Sequence, residues 1–186
     1  MAVAQRRMTL EEFLKLPEEE PALEFADGEV CQKVSPKLKH SRLQSTFVKR
    51  IDGFAEPRKL ALSFPELRTS FAGKSYVPDV AVYRWERIPR TLTGELSEDA
   101  LVPPDIAVEI ASPKRSVNAP VSKCLWYVEN GVAIALLVDP QDRSVLAFRP
   151  GTSPQVLRAA DPIDLSGVLP GFQLTVHKLF ATLDAG

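Results

Sequence analysis

Acidic side chains set among alanines mark two short stretches of this chain. In PPDIAVEIA, from Pro103 to Ala111, Ile106, Val108 and Ile110 alternate on one face, while Asp105 and Glu109 share the other with Ala107 and Ala111. In VPDVAVY, Val77, Asp79, Ala81 and Tyr83 fall together, so Asp79 is again a carboxylate beside an alanine. This alternation predicts two half-buried strands. If they are neighbours, Asp79 and Glu109 converge, and two carboxylates forced together repel unless a proton or a cation lies between them. A hard cation such as Mg²⁺ (or Mn²⁺) takes one or two carboxylates plus water and substrate phosphate. Such an ion can activate water for phosphodiester cleavage. Asp105, which follows Pro104, reads instead as a turn-like entry to its strand.

Other chemistries find no support. The two histidines, His40 and His177, lack metal-ligand spacing to each other or to a cysteine, so a structural zinc site is not expected. There is no GxSxG and no GxGxxG. Gly73-Lys74-Ser75 imitates the end of a P-loop, but Arg68 stands where the first glycine is required, and a strand rather than a helix should follow. Cys31 and Cys124 lie among apolar neighbours without CxxC spacing, which predicts buried thiols rather than a disulfide.

The elements that position these residues can be read from their punctuation. Thr9-Leu10-Glu11-Glu12 is a capping box before a short helix that stops near Pro17. LEFADGEVCQKV reads as a hairpin turning at Asp27-Gly28. Ser35-Pro36 should open a helix, with Leu43, Phe47, Ile51 and Phe54 as its apolar stripe. Pro120 should start another helix and Gly131 end it. VAIALLVDP suits a central strand covered on both faces, with SVLAFRPG antiparallel beside it. GFQLTVHKLFATL should give a last strand and a closing helix. Helices and strands in this order predict an α/β (α+β) domain, a mixed β-sheet flanked by helices, spanning 1–186 as one unit.

The net charge of -1 argues against nonspecific coating of nucleic acid, but the charge is segregated. Between Lys33 and Lys59, eight basic residues, among them Lys39, Arg42 and Lys49, face two acidic ones. An acidic segment from Glu18 to Glu29 precedes them. The choice there is between a solvated helix face and a phosphate-binding patch. No apolar run is long enough to span a bilayer, and MAVAQRRMTLEEF lacks the apolar core of a secretory signal. A cytoplasmic protein is expected. Scarce asparagine and 16 prolines hint at a thermophile.

Seven stretches in order carry a resemblance: MTLEEFLKLP, LEFADGEV, SPKLKH, VPDVAVY, PPDIAVEIASP, KCLWYVENGV and LLVDP. With them the chain resembles the Uma-type putative restriction endonucleases of the PD-(D/E)XK nuclease superfamily, over most of its length. The resemblance implies a restriction-endonuclease-like core with a metal site at one end of the sheet. Asp79 matches the first metal-binding acid, Glu109 the second, and Glu24 a further acid from the N-terminal hairpin. Lys123 matches the lysine on the helix after the Glu strand, and His40 a histidine at the start of the basic helix.

This sequence departs from the pattern at Ala111, where Glu-X-Lys would have its lysine, and at Ala119, usually an aspartate. Lys123 falls off the apolar stripe Val121, Cys124, Leu125 and Val128, while Lys114 and Arg115 lie nearer Glu109 in sequence. The expectation is a Mg²⁺-dependent DNA endonuclease, with RNA not excluded, acting as a homodimer without a membrane. The catalytic set would be Asp79, Glu109 and Lys123; the metal set Asp79, Glu109 and Glu24. Nucleic-acid contacts would come from Lys39, His40, Arg42, Lys49, Lys114 and Arg115. The alternative is a catalytically impaired nucleic-acid-binding or structural protein of the same fold.

Overall fold

A computed structural model of the chain describes residues 7–112 and 118–184. The capping box forms: Glu12 donates its amide to Thr9 Oγ1 at 3.2 Å and its carboxylate accepts the Thr9 amide at 2.8 Å, starting α1 (Leu10–Phe13). Asp27 and Gly28 both take positive φ, 54° and 85°, and turn β1 (Leu23–Ala26) into β2 (Glu29–Gln32). The basic helix α2 (Leu38–Ala55) begins later than Ser35-Pro36 suggests. Lys37 is still extended and acts as N-cap, which leaves Pro36 outside the first turn.

Four short strands escaped the sequence reading: β3 (Ala61–Pro65), β4 (Thr69–Phe71), β5 (Lys74–Tyr76) and β10 (Gln155–Arg158). They are three to five residues long and carry neither the acid–alanine alternation of the later strands nor the Asp-Gly turn of the first hairpin. The acid-bearing strands are β6 (Val80–Arg84) and β7 (Ile106–Ile110). Then come α3 (Asn118–Glu129), β8 (Ile134–Asp139), β9 (Ser144–Phe148) and α4 (Val176–Phe180). The last strand expected in GFQLTV does not form; a single bridge joins Pro162 to Thr175.

Among the described residues the larger sheet runs β10-β9-β8-β7-β6-β3, with β7 and β8 its parallel pair. A smaller antiparallel sheet runs β2-β1-β5-β4. Contrary to a half-buried strand, β7 is covered on both faces. On one side, Val80, Val82, Ile106 and Val108 pack with Leu43, Phe47 and Ile51 of α2. Each of these fully buried apolar side chains contributes about 1.5–3 kcal/mol. On the other side, Ala107, Ala135 and Leu137 pack with Cys124, Tyr127 and Val128 of α3.

The smaller sheet reaches over α3 through aromatic contacts, Phe71 to Trp126 at 4.8 Å and Tyr76 to Tyr127 at 5.7 Å between ring centroids. Cys124 is buried, but Cys31 is exposed on β2, so one of the two expected buried thiols is at the surface; no disulfide joins them. No helix among the described residues is long and apolar enough to cross a membrane.

Candidate active site at the acidic end of the sheet

Antiparallel pairing sets Val80 opposite Val108 and Ala81 opposite Ala107. One further step of that register brings Asp79 opposite Glu109, both buried, at 2% and 7% exposure. The Ile110 amide donates to Asp79 Oδ2 at 2.6 Å and so fixes its carboxylate. The alanines have a physical purpose. Ala107 of β7 and Ala135 of β8 form a shallow floor, so α3 can seat Tyr127 and Cys124 close to the sheet. Tyr127 then donates its hydroxyl to Glu109 Oε1 at 2.9 Å.

Lys123 comes down the same side. Its Nζ lies 2.9 Å from Glu109 Oε1 and 2.5 Å from Glu24 Oε1, and the Val77 amide donates to that same Glu24 oxygen at 2.8 Å. The rings of Tyr76 and Tyr127 flank the ammonium at 4.9 and 5.9 Å. The sheet-facing set of α3 is therefore Lys123, Cys124, Tyr127 and Val128, while Leu125, placed on the stripe by hydropathy, is 37% exposed. Two carboxylates and two rings make a niche in which a buried lysine displaces the apolar residue that periodicity favours.

Three participants carried no chemical role in the sequence reading. Lys33, counted there only as part of the basic region, turns inward past the end of β2. Its Nζ donates to Asp79 Oδ1 at 2.7 Å, to Glu66 Oε2 at 2.7 Å and to the Val77 carbonyl at 2.8 Å. Gln44 Nε2 donates to Glu66 Oε1 and to the Asp79 carbonyl, both at 2.8 Å. Only Gln44 left a trace in the sequence: it shares a helix face with His40, one turn earlier, and that face continues the Leu43–Phe47 stripe. Glu66 and Lys33 sit in a turn and at a strand end, where no period applies.

His40 is buried, with Nε2 3.3 Å from Asp79 Oδ1. The approach is off line for a hydrogen bond, and neither ring nitrogen has a well-directed partner. His40 thus belongs to the cleft rather than to an exposed basic face.

The charges settle unequally. Burial opposes ionisation of Asp79, but His40 and Lys33 outweigh it and hold this carboxyl well below the usual range. Burial pushes Glu109 up to about 7; Lys123 works against that rise, and Asp79 and Glu24 add to it. For Lys123, burial favours loss of the proton, yet Glu109 and Glu24 raise its pKa above the ordinary value. Lys33 follows the same balance: burial lowers, and Asp79 and Glu109 more than compensate.

The cleft these groups line has a volume of about 330 Å³ and includes Ala111 and Ala119 in its wall. A neighbouring hollow of about 270 Å³ shares His40 and Ala111 and is edged by Lys37 and Lys39. Arg42 and Lys49 are exposed on the opposite side of α2 from His40, and Arg42 Nε donates to the Thr182 carbonyl at 3.1 Å. Lys114 and Arg115 lie outside the described residues. Asp105 sits at the other end of β7, held by Arg84 at 2.5 Å and Arg87 at 2.6 Å, as a structural acid.

The donor set fits a hard divalent cation. Carboxylate oxygens dominate, and the ligand atoms of His40, Glu66 and Asp79 all fall within 4.8 Å of one another. Of these three, the His40 imidazole is buried and has no directed hydrogen-bond partner.

A mixed sheet with helices on both faces and acids gathered at one end is the arrangement expected of a restriction-endonuclease-like domain, and comparison with known proteins agrees with that fold. Residues 10–177 match the family model described as Uma2, putative restriction endonuclease, and the chain belongs to that family. A putative nuclease belonging to DUF820 from Anabaena variabilis ATCC 29413 is 36% identical, with a TM-score of 0.92 over 95% of this chain and 99% of that one. A chain of the DrdV–DNA complex aligns at 15% identity and a TM-score of 0.40, over 74% of this chain and 11% of its own, a likeness too slight to carry an argument. No curated protein matches.

Proposed function

We propose that this chain is a metal-dependent endonuclease hydrolysing DNA phosphodiester bonds, with Asp79 and Glu109 as its metal ligands. The observation that carries the reading is that these two buried carboxylates, opposite one another by the β6–β7 register, line one cleft, with the Lys123 ammonium 2.9 Å from Glu109. When bound, Mg²⁺ or Mn²⁺ supplies Lewis acidity toward the scissile phosphate and an attacking water.

The remaining work is done by the chain itself. The Ile110 amide aims Asp79; the Tyr127 hydroxyl and Lys123 aim Glu109. Lys123 neutralises negative charge growing on the phosphate. Glu24 holds Lys123 in that position and stands at the rim as a third acid for the metal. Lys39, beside the cleft, contacts the nucleic-acid backbone, joined by Lys114 and Arg115 and, further round α2, by Arg42 and Lys49. The domain, 1–186, works as one unit and pairs as a homodimer to cut both strands.

A second reading, a catalytically impaired nucleic-acid-binding protein of the same fold, is favoured by Ala111 in the cleft wall, where the superfamily pattern has lysine. Plasmid nicking separates the two. The nuclease predicts cutting that needs Mg²⁺ or Mn²⁺ and disappears in both Asp79→Ala and Glu109→Ala. DNA binding without cutting, indifferent to metal and intact in Asp79→Ala, supports the second. Cutting of single-stranded RNA but not plasmid would change the substrate and keep the mechanism.

A further inference from the structure

Two carboxylate oxygens and one backbone carbonyl surround the Lys33 ammonium, at 2.7, 2.7 and 2.8 Å. That is the kind of oxygen set that binds a hard divalent cation. The Glu66 side chain is 41% exposed but held in place. Its backbone takes φ +52°, a conformation costly for a side chain this size, and its amide donates to the Asp79 carbonyl at 3.3 Å. Gln44 clamps its second oxygen to the same carbonyl. The turn therefore spends backbone strain to present this carboxylate to Asp79. Into the same point projects His40, 7% exposed, 3.3 Å from Asp79 Oδ1 and without a directed partner.

We propose that Asp79, Glu66, His40 and the Val77 carbonyl form a cation position for which Lys33 is a built-in competitor, so that a divalent metal binds there only when Lys33 leaves. The inference rests on the metal-dependent reading above and adds two ligands, Glu66 and His40, together with a gatekeeper. Exclusion is forced by geometry and charge. Asp79 Oδ1 is the oxygen turned toward His40 Nε2, 3.3 Å away, and Lys33 already sits on it at 2.7 Å. An ammonium and a divalent ion cannot share one carboxylate oxygen in a buried site without strong repulsion. Lys33 has a flexible stem and lies beside the exposed strand β2, so it can swing into the cleft.

The test is calorimetric titration of Mg²⁺ and Mn²⁺ into the chelator-treated full chain. If Lys33 is out of the position about a tenth of the time, Lys33→Met binds metal about tenfold tighter than the wild type. Glu66→Gln binds more weakly, and Lys178→Met, which removes an exposed charge on α4, changes little. A measurement on the wild type guards against a variant that folds poorly. Amine acylation followed by mass spectrometry should find Lys33 protected without metal and reactive with saturating Mg²⁺, while Lys39 reacts equally in both. Metal binding that depends on Asp79 and Glu109 but is unmoved by Lys33→Met and Glu66→Gln, with Lys33 acylation unchanged, overturns this inference and leaves the nuclease reading intact. No metal binding by the wild type or by Lys33→Met defeats both.

Discussion

Lys123 and Glu24 stand 99 positions apart in the chain and 2.5 Å apart in the fold. The contact ties the N-terminal hairpin to α3, and through Glu109 to the centre of the large sheet. A buried ion of this kind is costly to orphan, because the carboxylates left behind have lost their water and their counter-charge.

Lys123→Met should therefore destabilise the protein by about 3–5 kcal/mol at neutral pH. Urea unfolding measures it. The loss should shrink near pH 5, where Glu109 takes up a proton and no longer needs the lysine. A loss under 1 kcal/mol at pH 8 would mean that water enters the niche freely.

The raised pKa of Glu109, about 7, sets the direction of metal binding with pH. Below that value the carboxyl is protonated, and a metal must displace the proton before it can bind. Affinity for Mn²⁺ should rise about tenfold per unit from pH 5 to pH 7 and then level off. Calorimetry across that range, repeated on Glu109→Gln, should give a steep curve for the wild type and a weak, flatter one for the variant.

Asp79 has the opposite linkage. Its folded-state pKa is depressed, so its contribution to stability is present above the unfolded value near 3.8 and fades as pH falls through the folded one. Glu109, raised in the fold, stabilises most at acid pH and loses that contribution as pH rises toward 7. In chelator, Asp79→Asn should flatten the acid limb of the stability curve between pH 4 and 2. An unchanged limb would place the acid sensitivity elsewhere.

Asp105 separates a site acid from a structural one. Asp105→Ala removes charge-assisted bonds from Arg84 and Arg87 and should cost about 1.5–3 kcal/mol, while Mn²⁺ affinity stays within twofold. Asp79→Ala should do the reverse for metal and abolish its binding.

On DNA, Lys39→Ala should lower the slope of log affinity against log salt by about 0.9, the loss of one phosphate contact. Lys49→Ala, on the side of α2 turned away from the cleft, should change it by less than half of that. Equal effects would mean the duplex wraps around the helix.

The features legible in the sequence were those with a period or a cap. Thr9 and Glu12, the Asp27-Gly28 turn, the Leu43–Phe47–Ile51 stripe and the facing of Asp79 and Glu109 all follow from spacing. What spacing could not give was how long-range partners solvate a charge. Periodicity put Lys123 off the apolar stripe because nothing local could satisfy it; its partners are Glu24 and Glu109, on other elements. Glu66 was invisible for a similar reason, since a single positive-φ residue in a turn leaves no pattern. Lys33 was hidden among basic neighbours that stay exposed.

Asp105, just before β7, and Glu109 within it lie four residues apart, about 13 Å along the chain, and answer to different masters. Asp105 is locked by arginines into the framework, whereas Glu109 is held by groups that can exchange a proton or a cation. Distant, unshared partnerships of this kind leave the two ends free to vary separately. A descendant of this chain could lose the proposed chemistry at one end through one or two substitutions and keep an intact scaffold anchored at the other. Inheritance of the shape, in such a lineage, is no guarantee of inheritance of the reaction.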